Sequence, residues 1–295
     1  MSDNLRGAIL MTLAMAGFAL EDMFIKLLAG TIPIGQILVM LGAGGAVVFA
    51  ALAKRKGQAL FSADMASRAM IIRNIGEVVG TVGFVLGFVL ASLSTASAIL
   101  QATPLIVTLG AALFLGAQVG WRRWSAILAG LFGVLLIVRP GMTGFEPASL
   151  WAVIGVLGLA TRDLATRAAP ARISGFQMSA WAFGLMAPTG ALMMWVMGST
   201  LVTPDTAQWG LLLCTLVIGV AAYYTVVAAM RVGEIAVVTP FRYTRMVFAL
   251  IVALSVFGER PDGLTYLGAA IIVAAGLFTL WRETRRPSLA RVGQV

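Results

Sequence analysis

Long apolar stretches separated by short polar connections run along the entire chain. A helix needs about 20 apolar residues to cross the hydrocarbon core of a bilayer, and ten stretches approach or reach that length. No polar segment between them is long enough to form a soluble domain. The pattern therefore predicts an all-α integral membrane protein with ten transmembrane helices. These helices, called spans 1 to 10, cover residues 7–28, 33–53, 69–91, 95–116, 122–139, 149–169, 175–197, 207–230, 233–257 and 263–281.

The composition supports a membrane location and narrows the possible chemistry. Of the 295 residues, 60% are hydrophobic and 11% are charged, whereas soluble domains carry about 25% charged residues. The chain has no histidine and a single cysteine, Cys214, which excludes a Ser-His-Asp triad, a histidine-based zinc site and an intrachain disulfide. The sequence also lacks glycine-rich nucleotide-binding motifs. We therefore expect no enzymatic activity, no metal and no cofactor.

The distribution of basic residues predicts the orientation of the chain. With both termini in the cytoplasm, the cytoplasmic segments hold thirteen Lys and Arg residues, and the outer loops hold only Arg139 and Arg260. Cytoplasmic loops carry such an excess, so we expect cytoplasmic termini and a location in the inner (plasma) membrane. Since the charges are spread over several loops, they predict no nucleic-acid-binding surface. No cleavage site follows a short apolar region, so we expect span 1 to be retained rather than removed as a signal peptide.

Two charged positions of span 1 recur in span 6. The separation of Asp163 from Asp22 along the sequence equals that of Arg167 from Lys26. Within each span the two charges are four positions apart, which places them on one face of a helix. The pairs could neutralise each other or lie at the membrane interface. Alternatively, they could form gates, with Asp22 and Lys26 toward the outer mouth and Asp163 and Arg167 toward the inner mouth of one pathway.

A constant separation over the whole chain indicates an internal duplication. Gln36 and Gln177, which open spans 2 and 7, are as far apart as the repeated charges. We therefore expect two repeats of five spans, over residues 1–145 and 146–295. Because each repeat has an odd number of spans, the second inserts upside down relative to the first. Inverted repeats of this kind are the architecture of many secondary transporters.

The segment that closes each repeat resembles a known family. Residues 103–117 (TPLIVTLGAALFLGA) and 239–260 (TPFRYTRMVFALIVALSVFGER) both begin with a proline motif followed by small residues, and the second ends in Gly-Glu at Glu259. The first repeat departs from the pattern, with Gln118 where the acid would fall. Ten spans with these segments resemble the drug/metabolite transporter superfamily, in particular its EamA-type members and, among those, the YddG-type aromatic amino-acid exporters.

The resemblance implies a secondary transporter that works by alternating access. It implies amino-acid substrates, aromatic and other neutral ones in a broad range, with export as the physiological direction. The partners are then a small-molecule substrate and the lipid bilayer, and we expect a monomer. A carrier for drugs, cations or nucleotide sugars and a channel-like facilitator remain open alternatives. An intramembrane enzyme is disfavoured because no nucleophile–base pair is recognisable.

Charged residues at the bilayer centre cost on the order of 3 kcal/mol on insertion scales, so they usually face the protein interior or a watery cavity. Span 3 has a polar line at helical spacing around Arg73 and Glu77, and Gly83-x-x-x-Gly87 beside it is a close-packing pattern. The second repeat offers tyrosines in span 8 and a basic stretch after Pro240 in span 9. The predicted cavity-lining residues are Asn74, Glu77, Thr81, Gln101, Trp181, Tyr223, Tyr224, Arg242 and Tyr243.

Each of these candidates also has a purely structural interpretation. The polar line could be a hydrogen-bonded seam between helices, Trp181 could be part of the core, and Arg242 could pair with Glu234 or Glu77. Proton coupling without histidine would need a carboxylate, and Glu77 and Glu21 are the candidates for it.

Overall fold

Helices account for nearly all of the chain in the computed structural model, which describes residues 2–114, 116, 120–232 and 235–284. The all-α membrane fold is confirmed: within these residues, nine helical segments are long and apolar enough to cross a membrane. Glu234, Gln118 and the basic residues from Arg285 onward lie outside the described residues. The helices are α1 (Asp3–Leu28), α2 (Ile34–Arg55), α3 (Arg68–Leu90), α4 (Leu93–Leu100), α5 (Thr103–Phe114), α6 (Trp121–Val138), α7 (Ser149–Arg167), α8 (Gly175–Val196), α9 (Thr206–Val232), α10 (Ile235–Val238), α11 (Thr244–Ser255) and α12 (Gly263–Thr284).

Spans 4 and 9 each consist of two shorter helices. Span 4 consists of α4 and α5, which are separated at Gln101 and Ala102, and Pro104 lies in the first turn of α5. Span 9 consists of α10 and α11, joined by a 3₁₀ turn over Thr239–Tyr243. A proline has no backbone N–H and disfavours helical geometry in the residue before it. The proline motif of each repeat therefore coincides with a break.

Helices from different halves form the tightest pairs in the molecule. The α1 helix packs along α9, α2 along α8, α3 along α7 and α6 along α12. Contacts such as Gly17 with Ala222 and Gly83 with Gly155 show that α1 is antiparallel to α9 and α3 to α7. Since α1 and α3 run in the same direction, α1 and its repeat counterpart α7 run in opposite directions. The two halves are thus inverted, as predicted.

The seam between α3 and α7 depends on glycine. A Cβ atom added at Gly83 would lie 2.5 Å from the backbone nitrogen of Gly155, and one at Gly87 would lie 2.8 Å from that of Ala152. Small residues let two helix backbones approach closely in membranes. The predicted role of the Gly83-x-x-x-Gly87 pattern as a helix-packing motif is confirmed.

The repeated glutamines make equivalent contacts at opposite ends of the molecule. The Gln36 amide donates to the carbonyl of Val202 at 2.6 Å and accepts from its N–H at 2.9 Å. The Gln177 amide donates to the carbonyl of Ala59 at 2.6 Å and accepts from the N–H of Ser174 at 2.8 Å. Each glutamine thus fixes a loop of the other half. The end at which α1 finishes is called the Lys26 end, and the end at which α7 finishes is called the Arg167 end.

Candidate functional site

Charged side chains of both halves meet between α3 and α7. Arg73 Nη2 donates to Glu77 Oε2 at 3.0 Å, and Arg162 Nη1 of the second half donates to Glu77 Oε1 at 3.3 Å. Arg162 Nη2 also lies 2.8 Å from Asp163 Oδ1. Arg73 and Glu77 are buried, with 2% and 7% of their surface exposed. These four residues are called the Glu77 cluster.

Local sequence explains how the Glu77 cluster is assembled. The four-residue spacing on α3 brings Arg73 to Glu77, and Asn74 accepts a further hydrogen bond from Arg73 at 3.0 Å. A Cβ at Gly76 would lie 2.7 Å from the backbone nitrogen of Arg162, so this glycine lets α7 deliver Arg162 to the carboxylate. Glu77 therefore bridges two arginines, one from each half. Thr81, one helical turn beyond Glu77, is half-buried.

A second ion pair joins the halves nearer the Lys26 end. Arg245 Nη2 of α11 donates to Asp22 Oδ2 of α1 at 2.7 Å. The guanidinium carbon lies 5.1 Å from the ring centroid of Phe18 and 5.1 Å from that of Phe84. Cation–π attraction of this kind stabilises a desolvated arginine by about 2 kcal/mol. Asp22 is 4% exposed, so both partners are held away from solvent.

A third ion pair closes the Lys26 end itself. Lys26 Nζ donates to Glu259 Oε1 at 2.8 Å and to the carbonyl of Ala91 at 3.3 Å. Glu259 also accepts from the N–H of Leu93 at 2.8 Å, and from the N–H and hydroxyl of Ser94 at 2.9 and 2.6 Å. The carboxylate thus caps the first turn of α4, where the unpaired N–H groups and the helix dipole favour a negative charge. This arrangement of Lys26, Glu259 and the first turn of α4 is called the Glu259 latch.

Hydrogen bonding keeps the Glu259 latch charged. Burial alone would raise the pKa of Glu259, but the hydrogen bonds from the Lys26 and Ser94 side chains and from the backbone N–H groups of Ser94 and Leu93 outweigh it. The resulting pKa lies below the usual value of this carboxyl group. The latch therefore stays ionised in mild acid.

The Arg167 end has no equivalent latch among the residues that the structure describes. Arg167 is the repeat counterpart of Lys26, yet its side chain is exposed. Asp163 feels the charges of Arg162, Arg242 and Arg167, in decreasing order. Arg242 therefore lies close enough to Asp163 to act on it electrostatically. The two ends therefore differ in the repeated cation: Lys26 is held in the Glu259 latch, whereas Arg167 is exposed, and the halves are joined at its end by other contacts such as Arg172 with Asp64.

The structure changes the pairing expected for the repeated charges. Arg73 and Glu77 do bind each other. Asp22, however, pairs with Arg245 rather than Lys26, and Asp163 pairs with Arg162 rather than Arg167. Asp22 and Lys26 instead bind charges from the other half, because α11 and the loop after it place Arg245 and Glu259 closer than the helical neighbour. Sequence reasoning missed the role of Glu259, although the Gly-Glu motif had singled it out.

The two tyrosines of α9 face different environments. The Tyr223 ring lies 5.5 Å from that of Phe49 and 6.2 Å from that of Phe183, and Tyr223 lies near Arg162. Tyr223 thus borders the Glu77 cluster. Tyr224 is 51% exposed and stacks on Phe176. Because adjacent residues of a helix point about 100° apart, the two rings face different surroundings, and the role of Tyr224 in lining a cavity stays a prediction.

Trp181 lies in a separate groove between α3 and α8. Its Nε1 donates to the carbonyl of Leu60 at 2.8 Å, and its ring meets that of Phe61 edge to face at 5.7 Å. The groove has a volume of about 600 Å³ and is lined mostly by apolar side chains. One of them, Ile75, is 59% exposed. Asn74 contributes an amide side chain to the same lining. Trp181 and Asn74, both predicted to line a cavity, thus lie together in this groove, and their contact with a substrate stays a prediction.

Polar atoms without a protein partner recur at matching positions of the two broken spans. Gln101 Nε2 and the Tyr243 hydroxyl are buried and have no hydrogen-bond partner among the described residues, and the same holds for the hydroxyls of Ser97 and Thr239. Tyr243 follows Gln101 along the sequence at the same separation as Thr239 follows Ser97. The Tyr243 hydroxyl points at Gly276 of α12, where a Cβ would overlap it. The breaks thus place equivalent polar groups of both halves in the protein interior.

Comparison with known proteins identifies the repeat. A sequence model of the EamA-like transporter family matches residues 5–139 and again residues 147–281. The starts of the two matches are separated by nearly the same distance along the chain as the repeated charges and glutamines, so both approaches find the same duplication. A protein of known crystal structure has a TM-score of 0.61 at 18% sequence identity, covering 97% of this chain and 99% of its own, and so shares the fold.

Named relatives carry different molecules. A riboflavin transporter of Rhizobium johnstonii is 29% identical over 217 residues, which cover 73% of this chain and 71% of the relative. An S-adenosylmethionine uptake transporter of Rickettsia prowazekii is 24% identical over 221 residues, covering 74% and 73%. A pseudopaline exporter of Pseudomonas aeruginosa is 26% identical over 273 residues, covering 91% and 94%.

Proposed function

Because this chain belongs to the EamA-like transporter family, whose model matches both of its halves, we propose that it carries zwitterionic metabolites of the amino-acid class by alternating access. The observation that carries the proposal is a series of three ion pairs between the halves. Lys26 with Glu259, Asp22 with Arg245, and Glu77 with Arg162 lie at successive depths from the Lys26 end inward. A path between the halves must open at these contacts.

The chemistry of the interface suits a substrate with charges of both signs. Carboxylates such as Glu77 match an ammonium group, and guanidinium groups such as Arg162 match a carboxylate with two parallel hydrogen bonds. A zwitterion can replace both partners of a buried pair without leaving a net charge behind. Removing only one partner would leave an uncompensated buried charge, which costs several kcal/mol. The aromatic rings of Phe49, Phe183 and Tyr223 near the cluster suit an apolar or aromatic side chain.

The relatives support a substrate of this class. S-adenosylmethionine, named for the Rickettsia prowazekii relative, carries an α-amino-acid group, whereas riboflavin does not. The proposed substrates include aromatic amino acids, because the sequence resembles aromatic amino-acid exporters. The match to the pseudopaline exporter, which covers 91% of this chain, favours export as the physiological direction. Other relatives are named for uptake, so the assay below measures transport in both directions.

Alternating access follows from the inverted repeat and from the difference between the two ends. The Glu259 latch is closed, while Arg167, the repeat counterpart of Lys26 at the other end, is exposed. Two inverted halves can exchange conformations and thereby close the Arg167 end and open the Lys26 end. The basic residues of the loops support cytoplasmic termini in the inner membrane, and the state described is then closed to the outside.

Counterflow in liposomes tests the proposal. Purified protein is reconstituted, the vesicles are loaded with unlabelled L-phenylalanine, and uptake of labelled L-phenylalanine is followed, with L-tryptophan, L-methionine, S-adenosylmethionine and riboflavin as further substrates. A carrier shows faster uptake into preloaded vesicles for at least one amino-acid substrate. Equal uptake into loaded and empty vesicles would instead indicate a channel. Counterflow of riboflavin alone would overturn the substrate class. Vesicles with Arg162→Gln protein are compared with the wild type and should show little counterflow of amino acids.

A further inference from the structure

One carboxylate of the membrane-spanning region lacks a counter-ion of its own. Glu21 lies on α1, seven residues before its last residue, Leu28, which corresponds to about 10 Å along a helix axis. Among the residues that the structure describes, none forms an ion pair or hydrogen bond with the Glu21 side chain. Its carboxylate lies directly against Gly219 of α9, so closely that a Cβ at that position would overlap it. The missing side chain of Gly219 provides the space for this acid.

The charges around Glu21 do not balance it. Asp22 on the same helix and Arg245 of α11 act on it electrostatically, and Arg245 already binds Asp22 at 2.7 Å. Lys26, five residues further along α1, binds Glu259, and the residues of α9 around Gly219 carry no charge. Two carboxylates therefore share one guanidinium group. If both were ionised, the group would carry a net negative charge within the membrane-spanning region, which is unfavourable.

We propose that Glu21 is a proton-binding site that couples transport to a pH gradient. This proposal rests on the proposed carrier function. A proton from water adds to a carboxylate oxygen of Glu21 and makes the group of Glu21, Asp22 and Arg245 neutral. The same O–H bond breaks when the proton leaves to water. Glu77 does not fit this role, because its two oxygens bind Arg73 and Arg162.

The position of Glu21 gives the proton different affinities in two conformations. The α1 helix belongs to the first half, whereas Gly219 and Arg245 belong to the second. When the halves separate at the Lys26 end, Arg245 moves away from both carboxylates, and the proton binds more tightly. When they close, the guanidinium group returns and the proton is held less tightly. A ligand that binds two states with different affinity shifts the equilibrium between them, and the coupling is reciprocal.

Infrared difference spectroscopy tests proton binding without a substrate. Protein in lipid is compared in acidic and alkaline buffer, and the carbonyl band of a protonated carboxyl group is followed. The wild-type protein should show such a band in acidic buffer and lose it in alkaline buffer, and Glu21→Gln should lack it. Glu21→Asp should keep the band with a shifted midpoint. The matched control, Glu146→Gln in a loop, should leave the band unchanged. A band that persists in Glu21→Gln overturns the assignment.

Transport in liposomes tests the coupling. With labelled L-phenylalanine as the probe, an imposed pH gradient should drive accumulation in wild-type vesicles, and reversing the gradient should oppose it. Glu21→Gln should lose this accumulation while it keeps counterflow at equal pH. Gly219→Ala should weaken accumulation because the added Cβ displaces the carboxylate, whereas Gly210→Ala on the same helix, which meets nothing within 4 Å, should not.

The two proposals fail in different ways. Loss of counterflow in the wild-type protein would count against the carrier function, and the infrared titration would still test Glu21. Normal counterflow with no response to a pH gradient of either polarity would overturn the coupling alone. Equal effects of Gly219→Ala and Gly210→Ala on accumulation would show that the position of the carboxylate beside α9 is irrelevant, which also contradicts the proposal.

Discussion

Single residues in this membrane protein differ in importance according to how completely their charge is enclosed. Glu77 binds two arginines and is 7% exposed. Arg172 also binds a partner in the other half, Asp64, yet its side chain is 80% exposed. Both contacts join the halves, but water screens the second one. Their removal should therefore have unequal effects on stability.

Replacing Glu77 by Gln should destabilise the protein strongly. The amide cannot neutralise Arg73 and Arg162, and breaking a buried ion pair in this way costs about 3–5 kcal/mol. Arg172→Gln should cost no more than about 1 kcal/mol, since exposed pairs contribute little. Thermal unfolding in detergent measures both. The double variant Glu77→Gln with Arg162→Gln should recover part of the loss. Equal unfolding temperatures for the two single variants would contradict this ranking.

At the scale of whole helices, close contacts between backbones hold the halves together. The seam of α3 and α7 has glycines on both sides, and a Cβ added at Gly83 would lie 2.5 Å from the backbone nitrogen of Gly155, which leaves no room for a methyl group. Gly83→Ala should therefore separate the two helices and cost about 1–3 kcal/mol, as overpacking does elsewhere. Gly210→Ala has open space around it and should be neutral or slightly stabilising, because Ala favours helices over Gly. Thermal unfolding of both variants measures whether steric contact or helix propensity determines the effect of the added methyl group on stability.

The first turn of α4 should respond to acid through Glu259. The pKa of this carboxyl group is lowered by its hydrogen bonds, so its contribution to the latch is present above the usual pKa and is lost as the pH falls through the lowered value. Hydrogen exchange of the Leu93 and Ser94 amides, corrected for intrinsic rates, should show protection from neutral pH into mild acid and loss only in stronger acid. Glu259→Gln should remove most of the protection at neutral pH. Loss of protection already near neutral pH in the wild-type protein would contradict the lowered pKa.

For the molecule as a whole, local patterns in the sequence predict more than distant contacts. Hydropathy predicts the spans because each span is a property of neighbouring residues. A constant separation of repeated residues predicts the inverted halves because a duplication repeats along the sequence. The breaks at Gln101 and near Tyr243 coincide with prolines that mark them. The partner of Asp22 does not follow in this way, since Arg245 is distant in the sequence and reaches it only once α1 and α11 pack together. The groove in which Trp181 lies does not follow from local sequence either, because it depends on the contact of Trp181 with Leu60 in a distant loop.

The inverted halves make one prediction that concerns both ends at once. Asp22→Asn should release Arg245 and favour opening at the Lys26 end. Asp163 pairs with Arg162 within α7, and from the inverted symmetry with Asp22 we expect Asp163→Asn to favour opening at the Arg167 end. In a Cys214→Ser background, which has no other cysteine, Ala29→Cys and Ala168→Cys report the two ends by thiol labelling. Asp22→Asn should raise labelling at position 29 and lower it at 168, and Asp163→Asn should do the reverse. Asp3→Asn, at an exposed position, should change neither. Shifts in the same direction for both variants would show that the charge clusters stabilise the fold without acting as opposing gates, because only alternating access forces one end to close as the other opens.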